Sequence, residues 1–195
     1  MPNKIQKQKP IRTCKETYAD YKSFKPYIVK DFNNRCGYCD SHDKFFGGLK
    51  NFQIDHFKPH SIPAFLPLKH EYENLIYSCQ SCNRAKSNKW KDTEGFLDPC
   101  DINYDTFIFR DTNGKIKHNE TTQGEYIHSN LNLFLKRHEF LWIIEKLENQ
   151  KNEIKELRNS TPEIDNNTLT LLLEFEKVQS AIDKYSNLLY VELSN

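Results

Sequence analysis

The chain has 195 residues, of which 37% are hydrophobic and 28% are charged, a composition that suits a folded core and excludes a disordered chain. No apolar run approaches the roughly 20 residues that a transmembrane helix requires, and the first ten residues are polar and basic, unlike a secretory signal. Membrane and secreted proteins are therefore excluded, and we expect a cytoplasmic protein.

The charge is distributed unevenly along the chain, although the formal net charge is only +1. Residues 1–30 carry eight basic residues against two acidic ones, whereas residues 139–195 carry six basic against eleven acidic ones. The basic segment favours nucleic acid, because phosphate binding releases counterions, and the acidic segment better suits a protein partner. Two solvated faces would give the same charges, so charge alone leaves both interpretations open.

The first half of the chain predicts short elements around two cysteine pairs. Residues 21–34 place apolar side chains at helical spacing, ahead of the first pair. Residues 52–57 alternate apolar and polar side chains and residues 74–79 are mostly apolar, which predicts two short strands. Residues 83–91 contain four cations and few apolar residues, as in a basic exposed helix.

The second half of the chain changes from strands to helices. Asn113-Gly114 is a strong hairpin signal between two short strands at 107–110 and 115–118. From Gly124 the apolar residues follow helical spacing, and a helix stop and restart at residues 160–163 separates this stretch from a second amphipathic helix. We expect these two helices to form an antiparallel hairpin.

Six cysteines in a chain without a secretory signal indicate metal binding or chemistry rather than disulfides. Four of them form two C-x-x-C pairs, Cys36 with Cys39 and Cys79 with Cys82. Two such pairs predict a closed, tetrahedral site for structural zinc. A thioredoxin-like redox motif is the alternative, but it normally contains one pair. We interpret Cys14 and Cys100 as small buried or free thiols.

The segment between the two pairs, together with the residue that follows the second pair, contains polar side chains that suit a second metal and a base. Asp55 and His56 are adjacent on the first predicted strand, so one can hold a cation while the other faces a substrate. Asn83 begins the predicted basic helix and offers an amide oxygen. Oxygen ligands of this kind suit a hard cation such as Mg²⁺ or Mn²⁺.

The order C-x-x-C, Asp-His, Asn, C-x-x-C-Asn resembles that of an HNH endonuclease with the zinc-bound ββα-metal fold. Asp55-His56 matches the first motif element, Asn74 the middle one and Asn83 the last, where asparagine replaces histidine. Residues 73–88, residues 96–100 and the Asn113-Gly114 hairpin are further similar to PtuB-type nucleases of Septu and retron-linked anti-phage systems.

The resemblance implies a role for each motif residue and a partner for the protein. It makes His56 the general base, Asp55 and Asn83 ligands of a divalent cation, and Asn74 a structural residue that orients His56. It implies a nucleic-acid substrate and a PtuA-like ATPase partner. DNA is the favoured substrate, and an RNase acting on tRNA is an alternative.

Three cations near the motif are candidates for contacts with nucleic-acid phosphates, namely Lys58, Arg84 and Lys86. Solvated lysines are the alternative for Lys58 and Lys86. Three histidines have no place in the motif, and we interpret them as polar surface groups: His60, His70 and His118.

We therefore predict an α+β protein: a small ββα-metal core stapled by a four-cysteine zinc site, with an N-terminal helix, a β-hairpin and a C-terminal antiparallel helical hairpin. The expected divisions are a basic arm at 1–20, a nuclease domain at 21–123 and a helical hairpin at 124–195, which we expect to bind the partner. The rival hypothesis is a non-catalytic zinc module that bridges nucleic acid and a protein.

Overall fold

The computed structural model describes residues 3–160 and 166–194. These residues form two compact units, one ending at Leu135 and the other beginning at Lys136. This division lies later in the chain than the expected boundary at 124. Among the described residues, no helix combines the length and the apolar character needed to cross a membrane.

The first unit contains a two-stranded sheet, a three-stranded sheet and short helices. Its elements, in chain order, are strand β1 (Asn3–Lys4), a 3-10 turn (Tyr21–Phe24), helix α1 (Lys25–Asp31), a 3-10 turn (Asp43–Phe46), strand β2 (Gln53–His56), two further 3-10 segments (Pro63–His70 and Tyr72–Asn74), strand β3 (Leu75–Ser78), helix α2 (Gln80–Lys86), helix α3 (Tyr104–Phe107), strands β4 (Ile108–Arg110) and β5 (Ile116–His118), and helix α4 (Thr122–Asn130).

The first sheet, together with α2, gives the predicted ββα arrangement. Strands β2 and β3 pair antiparallel, with His56 opposite Leu75 and Asp55 opposite Ile76. Every residue of β3 is buried, as its continuous apolar run predicts. Helix α2 follows directly, and its first turn is capped by Cys79, whose sulfur accepts a hydrogen bond from the Cys82 backbone amide. The mixed α+β fold is therefore confirmed.

The second sheet has the strand order β1-β4-β5, and both of its pairs are antiparallel. Strands β4 and β5 form the hairpin predicted from Asn113-Gly114, and Gly114 takes the positive φ of 88° that the turn requires. Strand β1 had no sequence signal, because two residues are too few to show a periodicity. It adds the start of the chain to this sheet.

The basic N-terminal arm is part of the folded unit rather than a free tail. Ile5 and Gln6 are buried, and the Gln6 amide donates to the carbonyls of Gly37 and Pro99. The Arg12 guanidinium forms an ion pair with Asp98 and donates to the Leu75 carbonyl. Part of the positive charge near the chain start therefore stabilises the fold and is not available to nucleic acid.

The second unit is an antiparallel pair of long helices, α5 (Lys136–Ser160) and α6 (Asn166–Ser194). Their direction follows from the contacts, since Phe140 packs near Tyr185, with ring centroids 6.1 Å apart, while Lys151 donates to Gln179. The helix stop and restart was predicted at residues 160–163, of which Ser160 is the last residue of α5 and the others lie outside the described residues.

The long helix predicted from Gly124 is divided into α4 and α5 by residues 131–135. Asn132 adopts a positive φ of 52°, which ends the helical path. Leu131 and Leu133 on either side of it are buried in the core of the first unit. The apolar spacing continues through this break, so periodicity alone could not detect it.

Candidate active site and metal centre

The four cysteines of the two C-x-x-C pairs lie together in the structure. All four are buried, and their sulfur atoms lie within 4.8 Å of one another. Burial raises the pKa of Cys36, and neighbouring cysteine sulfurs raise that of Cys82. Four buried sulfurs this close could all be thiolates only with a cation among them, and a tetrahedral metal ion would supply that charge.

The redox alternative does not fit this cluster. A reactive cysteine has a lowered pKa and is partly exposed, whereas Cys36 and Cys82 are buried and have raised pKa values. In addition, both pairs converge on one point instead of forming a single exposed motif. The donor set suits a closed metal site.

The loop of the first pair is tied to β3. The Gly37 amide donates to the Tyr77 carbonyl at 2.8 Å. A β-carbon at position 37 would lie only 2.7 Å from a ring carbon of Phe32 and 3.0 Å from Ile76. Glycine is therefore required here by close packing against two buried side chains. This hydrogen bond and the close packing hold the loop of the first pair against the strand that leads to α2.

His56 ends β2 and lines a cleft of about 390 Å³. Its Nε2 lies 2.9 Å from the Lys69 carbonyl oxygen, which can only accept, so Nε2 carries the proton. The Nδ1 atom is then the unprotonated nitrogen of a neutral ring. Burial lowers the pKa of His56 to about 4, which keeps the ring neutral at physiological pH. A neutral imidazole with one available nitrogen is the form that a general base needs.

Two aromatic rings flank the His56 imidazole, and both come from outside the motif. The Tyr21 ring lies 4.7 Å from the His56 ring and the His60 ring lies 4.3 Å from it, each in an edge-on arrangement. Both residues line the same cleft as His56. The prediction of His60 as a surface group overlooked this contact, because a histidine in a loop carries no periodic signal.

Asn74 forms hydrogen bonds within the loop that contains Lys69, and the Lys69 carbonyl is the hydrogen-bond partner of His56. Its side-chain oxygen accepts from the Lys58 amide at 2.8 Å, and its amide nitrogen donates to the carbonyls of Lys58 and Leu68. Leu68 precedes Lys69, whose carbonyl binds His56. Asn74 thus fixes both sides of the loop, a geometry that would orient the His56 ring.

Asp55 is buried beside His56 and receives two donors. The Tyr38 hydroxyl donates to one carboxylate oxygen at 2.5 Å, and the Lys86 ammonium lies 3.2 Å from the same oxygen. Burial raises the pKa of Asp55, while these two contacts oppose the rise. The Lys86 ammonium also lies 3.4 Å from the other carboxylate oxygen. A carboxylate has about four acceptor positions, so these side-chain contacts leave capacity for a cation, and Asp55 lines the cleft.

Asn83 lies in the first turn of α2 and also lines the cleft. Its amide nitrogen donates to the Gln53 side-chain oxygen at 2.5 Å. This bond uses the nitrogen and leaves the amide oxygen as the atom that can bind a cation. The Asp55 carboxylate and the Asn83 amide oxygen are hard donors, and both fit Mg²⁺ or Mn²⁺.

Lys86 does not have the role predicted for it. Its side chain is fully buried, and the ammonium donates to the His56 carbonyl at 2.7 Å and pairs with Asp55. It is therefore not available to a phosphate, and the predicted phosphate contact is wrong for this residue. The helix spacing predicts that Lys86 lies on the same side of α2 as Asn83. Asn83 lines the cleft, whereas the Lys86 side chain is buried in the core.

The two other predicted phosphate contacts differ in exposure. Arg84 is exposed and lines the cleft. The Lys58 ammonium lies 5.6 Å from the centre of the Phe65 ring and 5.9 Å from that of Trp90, so the side chain packs along aromatic rings. Arg84 is the better-placed cation of the two.

Replacing Lys86 by methionine should destabilise the protein, because the Asp55 carboxylate would remain buried without its cation. Breaking a buried ion pair typically costs about 3–5 kcal/mol. Arg84→Met, which removes an exposed cation two residues away on the same helix, should change the free energy of unfolding by no more than about 0.5 kcal/mol. Urea denaturation of both variants checks this, and equal stabilities would contradict the structural role.

Comparisons with known proteins agree with this geometry. The family model of HNH endonuclease matches residues 36–89, the segment that contains both cysteine pairs and the four motif residues. The Septu protein PtuB of Bacillus mycoides (strain KBAB4) is 31% identical over 86 residues, which cover 38% of this chain and 28% of that protein. No solved structure matches the chain significantly. The resemblance to an HNH nuclease of PtuB type is confirmed within this region, and the chain aligns with less than a third of the relative.

Proposed function

We propose, from the HNH endonuclease domain at residues 36–89, that the chain is a metal-dependent endonuclease that hydrolyses phosphodiester bonds of nucleic acid. The observation that carries the proposal is the neutral His56 ring, whose Nε2 is engaged by a carbonyl and whose Nδ1 is available, in a cleft shared with Asp55 and Asn83. A non-catalytic zinc module would need the cysteines but none of these three residues.

In the proposed reaction, His56 Nδ1 takes a proton from a water molecule whose oxygen attacks the phosphorus. The bond from phosphorus to the leaving 3′-oxygen breaks as the new bond forms. Arg84 is the exposed cation in the cleft that could hold a phosphate oxygen. Tyr21 and His60 limit the motion of the His56 ring. A divalent cation held by Asp55 and Asn83 would stabilise the negative charge that develops during the reaction.

The two metals have different roles in this proposal. Zinc, one ion per chain, is the metal that best suits Cys36, Cys39, Cys79 and Cys82, and it is structural because four cysteines leave no open position. Mg²⁺ or Mn²⁺ suits the oxygen donors of the cleft. Cleavage assays on plasmid DNA and on total tRNA test the function, and we expect cleavage of DNA.

We further propose that the nuclease is the effector of an anti-phage defence system and acts with a PtuA-like ATPase. The support is the similarity to Septu protein PtuB together with the surface of the second unit. In that unit, large apolar side chains are more often exposed than buried among the described residues, and the exposed ones on α6 include Leu169, Leu173, Leu188, Val191 and Leu193. Leu169, Leu173 and Val191 share one side of α6 by their spacing, and exposed apolar side chains on a common side support a protein interface.

Replacing Leu169 and Leu173 together by serine should weaken partner binding by at least about ten-fold, because each leucine would lose roughly 1.5–3 kcal/mol of burial. Both side chains are more than half exposed, at 58% and 54%, so the fold of the chain should be retained. Ile102→Ser, at an 80% exposed position in the first unit, is the control. Co-purification of the double variant with the ATPase at parental yield would refute this interface.

A further inference from the structure

A second depression adjoins the cleft that contains His56. Its volume is about 410 Å³, and it shares three lining residues with the cleft, Tyr21, Ile54 and Asn83. The shared residues place the two depressions side by side. The second depression therefore lies next to the place where the scissile phosphate would bind.

The second depression has the chemistry of a site for an anionic chain. None of its lining residues is acidic, and two are lysines from the segment around the start of α1, Lys22 and Lys25. The Lys25 ammonium is already used, since it donates to the Phe52 carbonyl and lies 5.0 Å from the centre of the Tyr77 ring. Lys22 is exposed and is therefore the cation that can reach a phosphate.

Tyr21 lies where the two depressions meet. It lines both of them, and its ring lies 4.7 Å from the His56 ring and 6.2 Å from the His70 ring. Aromatic side chains at such a border bind bases by stacking, independently of base identity. Tyr21 and Lys22 are adjacent at the start of the same 3-10 turn, so both are placed by one rigid element.

We propose that this second depression binds the nucleotide next to the scissile phosphate, with the Tyr21 ring against its base and the Lys22 ammonium on its phosphate. The proposal rests on the nuclease function and adds a subsite from residues 21–25, outside the matched family region. It gives part of the basic N-terminal segment a defined role in binding the substrate strand.

The test measures binding without cleavage. Fluorescein-labelled DNA and RNA oligonucleotides of the same sequence are titrated by anisotropy against the full chain carrying His56→Ala, at several salt concentrations. Because this variant lacks the His56 ring, an effect of Tyr21 on binding does not arise from the orientation of that ring. Adding Lys22→Ala should weaken binding. The plot of log affinity against log salt has a negative slope, and the magnitude of this slope should decrease by about one. Lys30→Ala removes an exposed lysine from α1 that lines neither depression and should leave the slope unchanged.

The Tyr21 variants separate stacking from simple packing. Tyr21→Ala should weaken binding roughly five-fold or more, and Tyr21→Phe should retain the parental affinity because it keeps the ring. Zinc content and melting temperature of each variant show that the fold is intact.

Equal effects of Lys22→Ala and Lys30→Ala, or of Tyr21→Ala and Tyr21→Phe, would overturn the subsite while leaving the nuclease function in place. Failure of the His56→Ala chain to bind either nucleic acid, together with failure of the parent to cleave them, would overturn both proposals. Selective effects on one of the two oligonucleotides would assign the subsite to DNA or to RNA.

Discussion

Replacing His56 by alanine should reduce nucleic-acid cleavage by about 10²–10⁴-fold, the usual cost of losing a general base. The side chain provides the available Nδ1 atom, while its Nε2 makes one hydrogen bond to the Lys69 carbonyl. Losing that bond should cost about 1 kcal/mol of stability. Single-turnover cleavage rates, measured with zinc content and melting temperature, check this expectation. His118→Ala, which changes a histidine of β5, should keep the parental rate.

Asp55→Ala separates the base from the cation site. This variant also leaves the Lys86 ammonium buried without its carboxylate, so we expect it to be less stable than the parent. Loss of a carboxylate ligand weakens cation binding, so higher concentrations of Mg²⁺ or Mn²⁺ should restore part of the cleavage by the folded fraction. No concentration of either cation should restore His56→Ala. A folded, zinc-loaded His56→Ala protein with parental activity would exclude the proposed mechanism and favour the zinc module that only binds nucleic acid.

Cys82→Ser should unfold the first unit at physiological temperature. Structural zinc sites contribute roughly 10–16 kcal/mol of apparent binding free energy in small zinc domains, which is comparable to the whole stability of a typical domain. The strands beside the site are only four residues long, so we expect the metal to contribute much of the energy that holds β2, β3 and α2 together. Metal analysis and circular dichroism of the purified variant measure both effects.

Cys100→Ser is the matched control for the metal site, because Cys100 lies outside the four-cysteine cluster and is only partly buried. This variant should keep one zinc ion per chain and nearly the parental melting temperature. A Cys82→Ser protein that is as stable as Cys100→Ser would contradict the structural role of the metal, as would a parent protein that contains no metal.

The cysteine spacing and the order of the motif residues carried most of what could be predicted. Two C-x-x-C pairs can meet at one ion only if the segment between them folds back. This folding brings Asp55 and His56, which lie in that segment, close to Asn83, which follows the second pair. The short strands were also predictable. The β3 segment is mostly apolar, and the residues around β2, 52–57, alternate apolar and polar side chains. These features depend on local spacing.

The remaining features depend on tertiary contacts. The sequence predicts an exposed side chain for Lys86, because lysine is rarely buried. In the structure its ammonium pairs with Asp55 and lies 5.8 Å from the centre of the Phe96 ring. Tyr21 and His60 come from a 3-10 turn and a loop, where no periodicity indicates which way a side chain faces. Their positions beside His56 follow only from the fold.

The most direct test of the account is the cation dependence of cleavage. The zinc-loaded chain, alone and with the PtuA-like ATPase, is incubated with plasmid DNA and total tRNA in Mg²⁺ or Mn²⁺, then after brief treatment with EDTA, and again after the cation is restored. The account predicts cleavage that stops in EDTA and returns with the cation, while the zinc content stays at one ion per chain. Cleavage that continues unchanged in EDTA would contradict it, as would a folded, zinc-loaded protein that cuts neither nucleic acid under any of these conditions.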